Sequence, residues 1–454
     1  MLKHLTIILL ILFSTTVSAQ NDITQHYVNQ GLKNNLALKQ QQFSLQKSLQ
    51  VLKEARGMFL PSISIEARYS RAGGGRLIEF PVGDLMNPVY STLNELLARP
   101  VFSTDLQNEQ IPFLREQEHE TKVRVVQPIF QPAIFYNYKI KSKLNKIQQA
   151  ELSIFKRQLI ADIKTAYFNY LKTVHVVELY DRTKILLAEN LRVSEKLFQN
   201  GKATEDVVFS ARAEISKLEQ NLAEAGKDNK LAAAYFNFLL NRPLDSAIEI
   251  IENSLLNFHH KLSLEDAQSQ ALEHREEFYQ LKNAIAAANN GASLAASSFV
   301  PGITGVFDYG CQGEEYKFTE KDDYWMASLV LQWNLFNGFQ DKSKRKQALL
   351  EKSKLEVQQK ELKIKIKLQV QEAYDNVYVA SKTITSATER LNSAQKSFKI
   401  IKKKYDQGMA PQIEYLNART SLTNAEVNQI IVKYDYFIKY AEFERVAAFY
   451  GLIG

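Results

Sequence analysis

Seven histidines and one cysteine hold most of what this 454-residue chain could offer to nucleophilic, acid–base or metal chemistry. Such chemistry needs these side chains to converge, because a ligand set or a proton relay is built from several groups at fixed spacing. Here His26, His119, His175 and His274 are scattered. His259 and His260 are adjacent, but they lack a neighbouring ligand pattern and read as two solvated side chains. Gly73-Gly74-Gly75 lacks the Lys-Ser/Thr partner of a phosphate-cradling loop. Cys311 is the only cysteine, so no intramolecular disulfide framework exists, and with no histidine constellation it reads as a small packing residue. No catalytic residue, metal site or cofactor motif emerges, and the expectation is a protein that is not an enzyme.

Charge points the same way. Lys and Arg total 57 against 50 Asp and Glu, for a net charge of +7. The two signs are interleaved along the chain, as on solvated helix faces, and nucleic acid is not expected as a partner. Only 10 prolines and 17 glycines interrupt the sequence, which suits long helices.

The N-terminus reads as a secretory signal. Lys3 and His4 precede the apolar run Leu5 to Phe13, and Val17-Ser18-Ala19 supplies small residues for cleavage after Ala19. The run falls short of the ~20 residues a retained membrane helix needs. No cysteine follows it, so no N-terminal lipid anchor is expected. No later stretch approaches the roughly 18 apolar residues of a transmembrane helix. If the mature chain enters a membrane, it must do so as a closed β-barrel, the other way to satisfy every backbone group in lipid.

The elements that would have to do this occur twice. Ala166-Tyr167-Phe168-Asn169 matches Ala373-Tyr374-Asp375-Asn376 at three positions. Gly201-Lys202-Ala203-Thr204 and Ala211-Arg212 face Gly408-Met409-Ala410-Pro411 and Ala418-Arg419 at the same separation. Gln127-Pro128-Ile129-Phe130 faces Trp333-Asn334-Leu335-Phe336 within one residue of that register, and Leu60-Pro61 resembles Val300-Pro301. Landmarks in one order indicate a duplicated unit.

Each unit opens with strands. Ile63, Ile65, Ala67 and Tyr69 alternate with Ser62, Ser64, Glu66, Arg68 and Ser70. Val123, Val125 and Ile129 oppose Lys122 and Arg124 less regularly. Ile303, Gly305, Phe307 and Tyr309 form a third apolar face; Trp325, Ala327, Leu329, Leu331, Trp333 and Leu335 form the cleanest. Segments of about ten residues with apolar-out, polar-in alternation and aromatic ends are what a barrel strand in lipid requires. The same alternation fits a soluble hairpin packed on helices. The connection Ala72 to Glu118 reads as a long loop, and Gln312 to Lys321 as a short one.

Long helices follow. Ala133 to Gln199 and Phe339 to Gln407 contain neither proline nor glycine, and each would reach on the order of 100 Å. Ile23 to Arg56, Asp206 to Leu240, Leu264 to Ser298 and Ile413 to Tyr450 read as helices about half as long. Small and apolar residues recur every seven positions, as at Ala211, Leu218 and Ala225 and at Ala418 and Ala425, which favours coiled-coil packing. Four strands cannot close a barrel, since about eight is the smallest number seen. Three copies would supply 12 strands, and cyclic symmetry would continue the barrel as a tube of helices.

These features resemble the TolC-like family of outer-membrane efflux proteins across essentially the whole mature chain. The resemblance rests on the duplication, the strand-to-helix junctions and the hairpin tips, above all Tyr405 through Ala418. It implies a mainly α-helical fold with a trimeric 12-stranded transmembrane β-barrel, continued by a periplasmic α-helical coiled-coil barrel. It also implies a homotrimer set in outer-membrane lipid, a periplasmic adaptor, and an inner-membrane RND or ABC transporter. The implied function is passive passage in a tripartite efflux or type I secretion system; a non-conducting periplasmic adaptor or scaffold is the alternative.

The resemblance further implies a ring of lumenal carboxylates near the periplasmic end. Glu414 stands where one would be, Asn417 where a second is often found, and Asp206 one residue from the matching place, Val207, in the first tip. Three copies of Glu414 around a narrow lumen would attract cations; Glu414 is equally a first-turn carboxylate favoured by the helix dipole. Gly201, Lys202, Ala203, Gly408, Met409 and Ala410 would form the tips that meet the adaptor. The chain then divides into residues 1–19 (signal peptide), 20–58 (N-terminal periplasmic helix), 59–131 (first strand pair with a long extracellular loop) and 132–240 (first helical hairpin). The second half divides into 241–263 (equatorial linker), 264–298 (helix opening the second repeat), 299–336 (second strand pair) and 337–454 (second hairpin and C-terminus).

Overall fold

The computed structural model describes residues 16–250, 263–317 and 319–450. The expected signal run Leu5 to Phe13, His259-His260 and residues 251–262 of the linker lie outside the described residues. Two compact units are formed, the first from residues 1–51, 141–289 and 349–454, the second from residues 52–140 and 290–348.

The first unit is helical. Its long members are α4 (Pro132–Gln199), α5 (Glu205–Leu239), α8 (Gln340–Asp406) and α9 (Gln412–Val446), the first and third of which begin in the second unit. The sequence suggests one helix over 23–56 and one over 264–298. The structure instead has α1 (Thr16–Asn34) and α2 (Leu36–Gly57), then α6 (Leu264–His274) and α7 (Glu276–Ala296). The breaks, at Asn35 and Arg275, share the 240-residue offset that relates Leu60-Pro61 to Val300-Pro301. Each break has a tertiary cause. Asn35 Oδ1 accepts from Leu38 N at 2.9 Å, capping α2, while its Nδ2 donates to Leu239 O at 2.8 Å. Arg275 is extended, with φ −73° and ψ 127°, and its guanidinium reaches Gln369 Oε1 at 2.6 Å.

The main core of this unit joins both repeats: Tyr27, Ile163, Tyr167 and Phe236 from the first half, Ile366, Val377, Tyr434 and Phe443 from the second. Gly31 allows α1 to lie against α4, since a Cβ there would sit 2.3 Å from Ile163 Cδ1. Smaller clusters follow toward the tips. One contains Leu187, Leu218, Tyr415 and Leu416; another contains Leu391, Leu422 and Ala425. The sevenfold series is thus core at Ala211, Leu218, Ala418 and Ala425, and half-buried at Ala225.

The second unit holds a four-stranded antiparallel sheet in the order β1-β4-β5-β6, from β1 (Ser62–Arg71), β4 (Gln117–Phe130), β5 (Gly302–Gly313) and β6 (Asp323–Gln332). The central pair β4–β5 joins the two repeats, and β1 and β6 are left as edges. Registers such as Ile65↔Val123↔Tyr309↔Trp325 put the apolar residues of all four strands on one face. That face is bare in the chain: Ile65 is 76 % exposed, Trp325 69 % and Leu329 70 %. The alternation in Trp333 and Leu335 suggests a longer last strand, but β6 ends at Gln332. There the Trp333 indole donates to Phe299 O at 3.2 Å, and Gly338 and Phe339 turn through positive φ into α8.

The connection read as a loop between β1 and β4 is ordered. It contains β2 (Leu77–Phe80), α3 (Val82–Leu96) and β3 (Glu109–Pro112), with β2 and β3 paired antiparallel.

Candidate functional site

The polar face of the sheet carries a connected set of charges. Arg124 donates to both oxygens of Asp308, Nε to Oδ1 and Nη2 to Oδ2, each at 2.8 Å. This planar two-point pairing suits a guanidinium and a carboxylate, and it ties β4 to β5. Arg124 also lies 3.2 Å from Glu66 on β1. Lys122 donates to Glu120 at 2.9 Å, and the Tyr324 hydroxyl on β6 donates to Glu120 at 2.7 Å. Arg68 approaches Glu118 and Glu120 at 3.9 and 3.8 Å. All four strands therefore contribute, with four carboxylates against three cations on one face. The alternation puts Lys122, Arg124 and Asp308 opposite the apolar residues of their strands, but only the register pairs Asp308 with Arg124.

The hairpin tips are built alike. In the first, Gly201 N bonds Phe198 O at 2.9 Å and Lys202 N bonds Leu197 O at 2.8 Å. In the second, Gly408 N bonds Tyr405 O at 2.9 Å and Met409 N bonds Lys404 O at 2.8 Å. Both are Schellman closures, which need a left-handed residue just past the helix; Gly201 has φ 67° and Gly408 φ 71°. Pro411 then precedes α9, and Thr204 precedes α5, each in extended geometry.

Glu414 and Asn417 are both exposed and line one groove of about 740 Å³ on α8 and α9, together with Arg390, Ser393 and Ser421. Asp206 is exposed in the first turn of α5 and does not line it. Gly201, Lys202 and Ala203 line a second cavity of about 520 Å³ with Tyr405, Pro411 and Gln412, which brings the two tips together. Met409 is exposed and Ala410 buried.

Beneath the tips lie buried polar residues, among them Gln412 and the repeat landmark Arg419. Gln412 donates to Ser194 Oγ at 3.0 Å and Asn190 Oδ1 at 3.3 Å, fastening the second hairpin to the first. Arg419 donates to Thr183 Oγ1 at 2.9 Å and lies 3.7 Å from Glu426. Burial pushes the Glu426 carboxyl above its ordinary range, against the opposing pull of Arg419 and Arg182. Burial likewise raises the Tyr415 hydroxyl, whose ring stacks on Tyr405 with centroids 4.8 Å apart.

Among the described residues, no group of three or more His, Cys, Asp or Glu could hold a metal ion. No described helix is long and apolar enough to cross a membrane. The arrangement is a charged sheet face and two closed hairpin ends.

Residues 267–447 match the family described as "Outer membrane efflux protein". No curated protein matches the chain by sequence. Solved structures with the same fold include the outer-membrane channel OprN, 12 % identical with TM-score 0.77, covering 95 % of this chain and 91 % of that one. The Campylobacter jejuni CmeC outer membrane channel is 16 % identical with TM-score 0.75, covering 94 % and 87 %. The open state of the Neisseria gonorrhoeae MtrE outer membrane channel is 15 % identical with TM-score 0.73, covering 94 % and 88 %.

Proposed function

We infer that this chain, a TolC-like outer membrane efflux protein, is the outer-membrane channel of a tripartite efflux or type I secretion system. The observation that carries the reading is the sheet: four strands, one apolar face left bare, and two unpaired edges. Exposed edges are not tolerated in lipid, so β1 and β6 must pair with other copies. A homotrimer supplies 12 strands, within the known range for closed barrels. The apolar face then meets outer-membrane lipid, and the Arg124–Asp308 ladder faces an aqueous lumen. A soluble adaptor or scaffold has no use for that bare face.

Helices do the rest of the crossing. Residues 141–199 of α4 and 349–406 of α8, both in the helical unit, would each extend roughly 90 Å at 1.5 Å per residue. That length suits a periplasmic tube rather than a membrane span. Passage is passive and needs no catalytic residue; an inner-membrane RND or ABC transporter supplies the work. The tips Gly201-Lys202-Ala203 and Gly408-Met409-Ala410 meet a periplasmic adaptor, and Glu414 with Asn417 lines the constriction. Conductance in planar bilayers tests the reading. Purified protein should migrate as a heat-modifiable trimer and form discrete ion channels; a water-soluble, non-conducting protein would overturn it.

A further inference from the structure

The excursion between β1 and β4 contains a helix whose amphipathicity is inverted. In α3, Leu85, Val89, Leu93 and Leu96 fall within one narrow stripe at helical spacing. A surface helix ordinarily turns such a stripe toward its own core. Here the stripe faces away from the chain: Leu85 is 62 % exposed and Leu96 78 %.

The opposite side of the helix is fixed by polar contacts. Asn87 brackets Leu106, donating to its O at 3.0 Å and accepting from its N at 2.9 Å. Asn94 does the same for the 101–102 peptide, accepting from Val101 N at 2.8 Å and donating to Phe102 O at 2.7 Å. Asn108 donates to Asp84 Oδ2 at 2.9 Å, and Tyr90 stacks on Phe102 at 5.2 Å. Gly83 lets the helix seat closely, since a Cβ there would lie 2.1 Å from Leu106 O. The helix therefore cannot simply roll its apolar stripe inward, and an exposed stripe of this kind marks a contact surface.

We propose that the apolar stripe of α3 packs against α3 of the other two copies of this chain, capping the barrel at its outer mouth. Two observations select this occupant, which rests on the channel reading above. The first is continuity. The excursion leaves directly from Arg71, the end of edge strand β1, the strand that must pair with a second copy. It thus starts at the subunit seam, at the end of the sheet away from the helix junctions at Pro61 and Gln131. The second is charge. A helix that lies on a lipid surface carries Lys and Arg on its polar face. Residues 82–96 contain Asp84 and Glu95 and no basic residue, and the polar face is occupied by the chain itself. Three copies related by a threefold axis bury three identical stripes against one another by bringing them together on that axis.

Site-directed cross-linking of full-length protein in outer-membrane vesicles tests this. Val89, at the middle of the stripe, is changed to cysteine in a Cys311→Ala background, with Ser91→Cys, off the stripe, as control. A disulfide needs Cα atoms about 4.4–6.8 Å apart, which for identical residues around a threefold axis requires a position within about 4 Å of it. Oxidised V89C should give covalent dimers with the third thiol free, because an odd cysteine is left over, while S91C stays uncross-linked. The locked V89C pore should conduct several-fold less than the same pore after reduction. Heat-modifiable, conducting trimers in which V89C remains uncross-linked and fully reactive to maleimide would overturn the cap and leave the channel standing. Loss of trimers and conductance in the Cys311→Ala parent and in unmodified protein alike would instead overturn the channel reading itself.

Discussion

Arg157 and Glu276 form a buried two-point ion pair, Nη2 to Oε1 at 2.6 Å and Nε to Oε2 at 3.0 Å, between α4 of the first repeat and α7 of the second. Both side chains are almost fully excluded from water. Glu276 is the residue that follows the break at Arg275, so the interruption of the helix and the cross-repeat contact occur together. Two charges in low dielectric hold only as a pair, and removing one leaves the other unsolvated at a cost of about 3–5 kcal/mol. Glu276→Ala should lower the denaturant midpoint of the helical signal by a corresponding amount. A double change, Arg157→Met with Glu276→Leu, should recover most of it, because neither charge then remains. Equal midpoints for the single variant and wild type would show that the pair is not sealed from water.

The Arg124–Asp308 pair makes a prediction about selectivity. On the polar face the two charges cancel locally, so neutralising one exposes the other to permeating ions. Arg124→Gln should move the reversal potential in a salt gradient toward cation preference, and Asp308→Asn should move it toward anions. Shifts of the same sign, or none, would place this face away from the conducting path.

Period-two alternation makes the four strands legible, and the absence of proline and glycine makes the long helices legible, because both signals are local. The breaks at Asn35 and Arg275 are not, since helix propensity runs through them. What stops the helix is a partner distant in sequence: Leu239 O for Asn35, and Gln369 Oε1 for Arg275. Helix α3 escapes for a different reason. Pro88 lies inside it, and its apolar stripe answers to no core in the chain. At the tips, Glu414 and Asn417 share one groove, whereas the sequence marks Arg419 only as a match to Arg212, and its bond to Thr183 and that of Gln412 to Ser194 form only when the second hairpin packs on the first.

The role proposed for Glu414 at a constriction can be measured. It lies exposed on the groove with Asn417, three residues on along the same helix face. Three symmetry copies around a constriction would concentrate cations there. Glu414→Gln should weaken block of the pore by a divalent cation added on the periplasmic side and lower its cation preference, while Asn417→Asp should strengthen both. Unchanged block in both variants would reduce Glu414 to a first-turn carboxylate favoured by the dipole of α9.

Glu426 sets the direction of a pH effect. Burial raises its carboxyl above the ordinary value of 4.5, and Arg419 and Arg182 only partly oppose this. The folded chain therefore holds this proton at pH values where the unfolded chain has released it. Its contribution is most favourable when the group is protonated in both states, and it declines as pH rises from the ordinary carboxylate value through the raised folded one. Glu426→Gln keeps a neutral side chain of the same size and removes that decline. The variant's melting midpoint relative to wild type should therefore climb as pH rises above the ordinary carboxylate value and level off once the folded group has ionised. Any constant offset reports the altered contact with Arg419, 3.7 Å away, and only the slope reports the buried charge. A gap that narrows with rising pH would mean that Arg419 holds the carboxylate ionised, with the pull of the ion pair exceeding the cost of burial.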